Sequence, residues 1–226
     1  MRKFRKKTQI IHALDVDNIK NAFRIAENIK ECVDVIKISH PLLIQEGYQS
    51  IQRLKNIGLP ILLDFKVGDI PEMSRRIIMN CIDYGADGFT VQGFLGRDVI
   101  RECVETAKKA DTAIYVVAEM SHPGASEFLQ PVSNKIAEIS RDLGASGIVA
   151  PGNRPSRITE LRKIVGDELQ IISPGIGPQG GDVGDAILAG ADFEIVGRMI
   201  YTAKNPAEKA REILDTLNKR LKNVNR

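Results

Sequence analysis

The feature that most constrains the fold is a regular alternation of short apolar runs with runs of helical period. Eight apolar, β-rich runs occur along the 226 residues, and a helical segment follows each of them. The predicted strands are 9–14, 33–38, 61–65, 88–92, 112–119, 147–150, 169–173 and 193–197. The predicted helices are 18–30, 41–56, 72–84, 96–109, 131–143, 156–165, 184–189 and 205–221.

This alternation predicts a parallel sheet, because a helix that joins two parallel strands forms a right-handed crossover. Eight such units in a chain of this length match a (β/α)8 TIM barrel. An open, doubly wound sheet is the alternative, but it requires a glycine-rich fingerprint after the first strand, where Asp15-Val16-Asp17-Asn18 stands. We therefore predict an α/β fold with one barrel domain over residues 8–226. We see no sequence repeat beyond the strand–helix rhythm, and Glu194 in the eighth strand is unexplained.

Composition narrows the class of protein. The apolar fraction of 43% and the charged fraction of 27% are ordinary for a globular chain. No apolar run approaches the roughly 20 residues that a membrane span needs, so we expect no membrane partner and a cytoplasmic location. The three cysteines form no C-x-x-C pair and the three histidines have no ligand spacing, so we predict neither disulfides nor a metal site.

A basic arm precedes the predicted barrel. Five of the first seven residues are Lys or Arg, whereas the net charge of the whole chain is only +3. Such an arm can touch nucleic acid or anionic lipid, but chain ends are more commonly solvated and frayed. We interpret residues 1–7 as a solvated terminus and expect no nucleic-acid partner.

Charged residues collect where the predicted strands end, which is where barrels of this kind place their active sites. They are Asp15, Lys37, Asp64, Lys66 and Asp69. Asp64 and Lys66 lie two apart on one strand and so share a face. By themselves they fit a structural ion pair as well as a catalytic proton donor between carboxylates. Nearby carboxylates keep a lysine protonated, which suits a general acid better than a Schiff-base nucleophile.

Two loops near the end of the chain predict a phosphate site. Glycines at 175, 177, 180 and 181 follow the seventh strand and let backbone N–H groups turn toward an anion. Gly197-Arg198 follows the eighth strand, and an arginine fork matches phosphate oxygens. The phosphate sites of TIM barrels commonly use these same two loops.

Together these residues resemble the orotidine 5′-monophosphate decarboxylase family in its compact archaeal form. The resemblance runs from Leu14 to Tyr201. It is carried by the segments 63–71 (LDFKVGDIP), 119–124 (EMSHPG), 172–182 (ISPGIGPQGGD) and 196–198 (VGR). The D-x-K-x-x-D core also occurs in sister sugar-phosphate enzymes, whereas its combination with the other segments is far more specific.

The resemblance implies cofactor-free decarboxylation of orotidine 5′-monophosphate to uridine 5′-monophosphate, the last step in making that nucleotide. The implied enzyme is a carboxy-lyase that binds no metal. The implied catalytic residues are Lys66, which protonates ring carbon 6, with Asp64, Lys37 and Asp69. The implied substrate-binding residues are Asp15, Lys37, Ile70, Met73, Ser121, Pro174, Gly177, Gln179, Gly197 and Arg198. The resemblance also implies a homodimer in which Asp69 reaches the partner's site.

Three positions depart from the family pattern: Met73 replaces a common threonine, Gln92 a common histidine and Gly68 a common alanine. Two other functions stay open at this stage. One is a Mg²⁺-dependent sugar-phosphate enzyme, such as hexulose-phosphate synthase or a keto-gulonate-phosphate decarboxylase. The other is a non-catalytic barrel that binds phosphate or nucleic acid.

Overall fold

The computed structural model describes residues 1–224, and its eight parallel strands close into a barrel in chain order. The strands are β1 (Ile10–Ala13), β2 (Val35–Ile38), β3 (Ile61–Val67), β4 (Gly88–Gln92), β5 (Ala113–Val117), β6 (Gly147–Val149), β7 (Gln170–Pro174) and β8 (Phe193–Val196). This confirms the predicted (β/α)8 barrel. The predicted domain range, 8–226, ends two residues beyond the described part of the chain.

Within residues 1–224, helices cover the outside of the barrel. They are α1 (Ile19–Ile29), α2 (His40–Glu46), α3 (Gln49–Lys55), α4 (Pro71–Asp83), α5 (Arg97–Lys109), α6 (Ala125–Phe128), α7 (Gln130–Asp142), α8 (Pro155–Val165), α9 (Asp185–Leu188), α10 (Arg198–Tyr201) and α11 (Pro206–Val224). None of these helices is long and apolar enough to cross a membrane.

The single helix predicted over 41–56 is wrong, because the chain forms two helices there. Helix α2 ends at Glu46, and Gly47 follows it with a positive φ of 74°, which glycine adopts without steric cost. The N–H of Gly47 still donates to the carbonyl of Leu43, so the turn closes one helix before α3 begins.

Alternation along the strands separates two apolar layers. One set of buried side chains, including Ile11, Leu62 and Tyr115, fills the barrel interior. The larger set packs between the sheet and the helices. The polar ends of the strands therefore meet above an apolar interior, on the side where each strand finishes.

Residues 1–8 close the opposite end of the barrel, so the interpretation of a solvated, frayed arm is wrong. Phe4 is buried and stacks on Tyr115, with 5.5 Å between ring centroids. Gln170 accepts from the N–H of Phe4 and donates to its carbonyl. Arg2 and Lys6 form ion pairs with aspartates at the same end. Lys3 also donates to the carbonyl of Glu168, so at least three of the five basic residues of this arm are bound to the barrel.

A repeated side-chain cap holds this N-terminal rim together. The strands are joined in pairs: β1 with β2, β3 with β4, β5 with β6, and β7 with β8. In each pair, the side chain just before the second strand accepts a hydrogen bond from a backbone N–H near the start of the first strand, at 2.8–3.0 Å. The capping residues are Asp34, Asp87, Ser146 and Asp192, and their respective donors are Thr8, Ile61, Ile114 and Ile171. Three of the caps end a Gly-Ala-Asp or Gly-Ala-Ser triplet, so a short repeat exists that we did not predict.

The structure also explains Glu194, which the strand pattern did not. Its carboxylate accepts N–H groups of Gly184 and Ala186 at 2.8 and 3.1 Å, and so caps the start of α9 from the outer face of β8. Burial raises the pKa of Glu194 to about 7, although these backbone bonds act in the other direction.

Candidate active site

A cavity of about 300 Å³ opens at the C-terminal ends of the strands. Nine of the predicted site residues line it: Asp15, Lys37, Asp64, Lys66, Ser121, Pro174, Gln179, Gly197 and Arg198. They come from six different strand ends or loops, which only the closed barrel brings together. On the β1–β3 side the cavity is lined by Asp15, Lys37, Asp64 and Lys66, which we call the charged wall. On the β7–β8 side it is lined by the two glycine-containing loops.

The charged wall is a continuous chain of alternating sign. The Nζ atom of Lys37 lies 3.6 Å from Asp15 and 2.9 Å from Asp64. The other carboxylate oxygen of Asp64 lies 2.9 Å from the Nζ atom of Lys66. Asp64 therefore bridges the two lysines, and the two ends of the chain, Asp15 and Lys66, are more exposed than the residues between them.

Electrostatics keep this chain charged. Burial alone lowers the pKa of Lys37, but Asp64 and Asp15 outweigh burial and raise it above its usual value. Burial raises the pKa of Asp64, but Lys37 and Lys66 outweigh it and hold that pKa well below its usual range. Both groups therefore remain ionised at neutral pH, and the alternating field is a fixed property of the site.

Backbone geometry aims Lys66 at the cavity. Lys66 has a φ of 49°, in the left-handed region, and the pairing of β3 with β4 shifts register between Leu63 and Val67. Thr90 supports this irregular backbone, because its hydroxyl accepts from the Lys66 N–H at 2.9 Å and donates to Asp64 at 2.8 Å. Holding a non-glycine residue in the left-handed region costs of order 1–3 kcal/mol, and such residues are common at functional sites.

A polar cluster anchors the loops that carry Ser121 and Gln179. The side-chain amide of Asn153 donates to both of their carbonyls, at 3.1 and 3.0 Å. Beside it, Arg154 donates to the carbonyl of Met120 and pairs with the buried Glu119 at 3.2 Å. Glu119 ends the fifth predicted strand, yet its role is to hold this anchor and not to face the cavity.

The turn after β8 brings backbone and charge to the far end of the cavity. Gly197 lies so close to β1 that a Cβ atom there would stand 3.1 Å from the Cβ of Ala13, tighter than an ordinary contact. Arg198 begins α10 directly after it, and Tyr201 ends that helix while also lining the cavity. A side chain at position 197 would therefore crowd β1. The turn can offer N–H groups and a guanidinium to an anion.

Comparison with known proteins agrees with this geometry. Residues 8–213 match the sequence model of the orotidine 5′-phosphate decarboxylase / HUMPS family. The chain belongs to this family. It is 48% identical to the orotidine 5′-phosphate decarboxylase of Methanococcoides burtonii, over 94% of this chain and 99% of that protein. It is 41% identical to the enzyme of that name from Methanocaldococcus jannaschii, over 93% of this chain and 99% of that protein.

A solved structure shares the fold as well as the family. The crystal structure of orotidine 5′-monophosphate decarboxylase from Methanocaldococcus jannaschii, complexed with the inhibitor BMP, matches with a TM-score of 0.88 at 39% identity. The match covers 93% of this chain and 98% of that one. The family assignment thus applies to the whole barrel and not to a single motif.

Four residues implied by the family resemblance do not line the cavity of their own chain. Asp69, Ile70 and Met73 lie on the loop after β3 and the start of α4, with Ile70 and Met73 exposed to solvent. Gly177 lies within the loop after β7, but its N–H donates to the carbonyl of Gly181 at 2.7 Å. The roles of these four residues in this family member stay predictions.

Sequence reasoning missed three groups at the site: Thr90, Asn153 and Tyr201. Thr90 has a weak signal, because it lies inside a strand at the spacing that faces the barrel interior. Asn153 and Tyr201 have no signal in the sequence, because their roles depend on which loops the barrel brings together. Within residues 1–224, no group of three His, Cys, Asp or Glu side chains is placed to hold a metal ion.

Proposed function

We propose that this protein decarboxylates orotidine 5′-monophosphate to uridine 5′-monophosphate and thus acts as a carboxy-lyase in pyrimidine biosynthesis. One observation carries the proposal: the chain Asp15–Lys37–Asp64–Lys66 ends in a lysine at the wall of a nucleotide-sized cavity. Both of the relatives named above bear the name of this activity, which supports the same substrate here.

The proposed chemistry breaks the bond between ring carbon 6 and the substrate carboxylate. Carbon dioxide leaves, and the electron pair of the broken bond stays on carbon 6. Asp64 would crowd and repel the substrate carboxylate, which would raise the energy of the bound substrate. Lys66 holds a fixed cation beside the developing carbanion and then donates its proton to carbon 6. Solvent later returns a proton to the lysine.

We propose that the reaction needs no metal or organic cofactor. A divalent cation at the wall would lie beside the ammonium groups of Lys37 and Lys66, which repel it. Asp64, the central carboxylate, already has both oxygens bound to these two lysines. The positive charge that other enzymes obtain from a metal is therefore supplied by the chain itself.

The phosphate end is proposed to supply binding energy for the distant chemistry. Gly197 and Arg198 would hold the 5′-phosphate, while Gln179 would bridge the phosphate and the base. Ser121 would contact the pyrimidine, Asp15 a ribose hydroxyl, and Pro174 would line the same pocket. Contacts far from carbon 6 can then close the loops and orient the substrate before the bond breaks.

We further propose a homodimer with shared sites. Ser74 holds the loop of Asp69 by accepting from its N–H and donating to its carbonyl, so Asp69 is presented in one orientation. Apolar side chains lie near this loop: Ile70 follows Asp69 and is 64% exposed, and Leu95, the neighbour of the 58% exposed Phe94, lies against Gly68. A second copy of the chain would cover this apolar face and receive Asp69, Ile70 and Met73 at its own site.

The decisive experiment follows the absorbance of orotidine 5′-monophosphate with purified protein and excess EDTA. We expect the absorbance to fall at the same rate with and without EDTA. Activity that is lost in EDTA and restored by Mg²⁺ would instead favour a metal-dependent sugar-phosphate enzyme. If the protein binds uridine 5′-monophosphate but shows no turnover, the result would favour a non-catalytic phosphate-binding barrel.

The shared-site proposal has its own test. Lys66→Ala and Asp69→Ala proteins, each inactive alone, are mixed and allowed to exchange subunits. We expect recovery of about a quarter of wild-type activity, because half of the dimers are mixed and each has one intact site. Absence of recovery, with subunit exchange confirmed by mass spectrometry, would rule out shared sites.

A further inference from the structure

His12 is a fully buried polar side chain that the proposed chemistry does not use. It lies on β1 between Ile11 and Ala13, whose side chains face the barrel interior. Its imidazole therefore points outward, into the layer between the sheet and the helices. A buried polar ring costs about 1–3 kcal/mol unless it forms hydrogen bonds, so the contacts of this ring decide what it does.

The hydrogen bond and the aromatic contact of the ring are both with the turn that ends the phosphate side of the cavity. The Nδ1 atom lies 2.9 Å from the carbonyl oxygen of Val196, the last residue of β8. The ring also stands edge-on to Tyr201, with 6.4 Å between centroids. Gly197 and Arg198, the residues offered to a phosphate, lie between these two contacts in the sequence.

Tyr201 connects the second contact back to the glycine. The Cε1 atom of Tyr201 lies 3.5 Å from the position that a Cβ atom would take at Gly197. His12 thus supports the turn from behind at both ends, directly through the Val196 carbonyl and indirectly through the ring that packs on Gly197. The side of the turn that faces the cavity remains free for a ligand.

The hydrogen bond fixes the form of the imidazole. A carbonyl only accepts, so Nδ1 carries the proton. Within residues 1–224 the Nε2 atom has no hydrogen-bond partner. Burial, with a smaller contribution from Lys37, lowers the pKa of His12 to about 4, although the Val196 bond and Asp15 act in the other direction. At neutral pH the ring is therefore an uncharged, directed donor.

We propose that His12 is a positioning residue that fixes the phosphate-binding turn, residues 196–201, by holding the Val196 carbonyl and the ring of Tyr201. The direction of the Val196 carbonyl sets the plane of the peptide that carries the Gly197 N–H, because the two groups belong to one peptide unit. His12 therefore sets the orientation of a donor that the nucleotide phosphate would meet. This inference rests on the proposed function, which supplies the phosphate ligand.

Two substitutions separate hydrogen bonding from the filling of space. His12→Asn places an amide nitrogen near the position of Nδ1 and keeps the donor to Val196. His12→Leu has a similar volume and removes the donor. His12→Gln carries its amide near the position of Nε2, and it replaces the leucine variant in the comparison if that variant does not fold.

The measurement is the dissociation constant of uridine 5′-monophosphate and of uridine for each protein, by NMR titration, which reaches millimolar affinities. We expect His12→Leu to weaken the nucleotide about tenfold and to leave uridine unchanged, because only the nucleotide contacts the turn. We expect His12→Asn to remain within about twofold of wild type for both ligands.

Two results would overturn the inference: nucleotide binding by His12→Leu equal to that of wild type, or equal weakening of nucleotide and uridine, which indicates general loosening of the fold. A wild-type protein that fails to bind uridine 5′-monophosphate would instead overturn the proposed function. The two failures are therefore distinct.

Discussion

The two ends of the barrel use aspartates and basic side chains in opposite ways. At the N-terminal rim, Asp87 accepts the backbone N–H of Ile61 as well as Lys55, and Asp192 accepts that of Ile171 as well as Arg162. At the C-terminal rim, Asp64 accepts hydrogen bonds from the side chains of Lys37, Lys66 and Thr90.

This difference shows that the partners of a charged residue, and not its type, indicate its role. A carboxylate that binds backbone N–H groups is part of the fold, because its loss leaves buried donors unsatisfied. A carboxylate held by lysines at a cavity wall keeps a strong local field that a ligand can meet. Both rims contain short ion pairs, so distances alone do not distinguish the two roles.

The largest expected effect compares one lysine from each rim. Lys66→Ala should lower turnover by about 10³-fold or more, because the proposed proton donor is lost, while uridine 5′-monophosphate still binds. Lys55→Ala removes a lysine that lies 2.6 Å from Asp87 at the other rim, and activity should stay within about twofold. Steady-state kinetics check both; similar losses in the two variants would break the comparison.

The next effect concerns stability at the N-terminal rim. Asp87→Ala leaves the buried Ile61 N–H without its partner, and we expect the free energy of unfolding to fall by about 2–3 kcal/mol. Ser146→Ala removes the uncharged cap at the equivalent position of β6, and about 1 kcal/mol should be lost. Denaturant titration measures both, and turnover of the folded variants should match wild type.

A smaller effect is expected from the anchor of the loops at the C-terminal rim. Asn153→Ala releases the carbonyls of Ser121 and Gln179 together, so kcat/KM should fall about tenfold through poorer substrate orientation. Asn134→Ala is the matched control, since Asn134 accepts from Arg157 at the surface. A loss of stability with unchanged kcat/KM would place Asn153 with the structural caps.

The smallest effect concerns the pH dependence of stability, to which two buried groups between the rims, His12 and Glu194, contribute. His12 has a pKa of about 4, below its usual 6.5, so unfolding takes up a proton in that interval and stability falls as pH falls. Glu194 has a pKa of about 7, above its usual 4.5, so unfolding releases a proton and stability falls as pH rises.

These two contributions oppose each other between pH 4.5 and 6.5. Each is worth at most about 1.4 kcal/mol per pH unit, so wild-type stability should vary little in that interval. His12→Asn retains only the Glu194 contribution, so its stability should fall as pH rises through this interval. Glu194→Gln retains only the His12 contribution, so its stability should increase as pH rises. Urea unfolding at several pH values tests this, and curves parallel to wild type would contradict it.

The sequence allowed the barrel and the charged wall of the cavity to be predicted, because both depend on local patterns. Asp64 and Lys66 share a face by strand periodicity, and parallel strands bring their ends to one rim. The role of Asn153 could not be predicted, because it binds carbonyls from two loops that are distant in the sequence. The burial of Phe4 likewise depends on Tyr115 and Gln170.

The segment that covers the N-terminal rim has a consequence for how the chain acquires its structure. Phe4 bonds to a residue 166 positions later, and Lys6 pairs with one 186 positions later. During synthesis from the N-terminus, the earliest residues must therefore wait, unpaired, until most of the polypeptide has emerged. Closure of the barrel floor should be a late folding event, and shortened nascent chains should leave Phe4 accessible to chaperones.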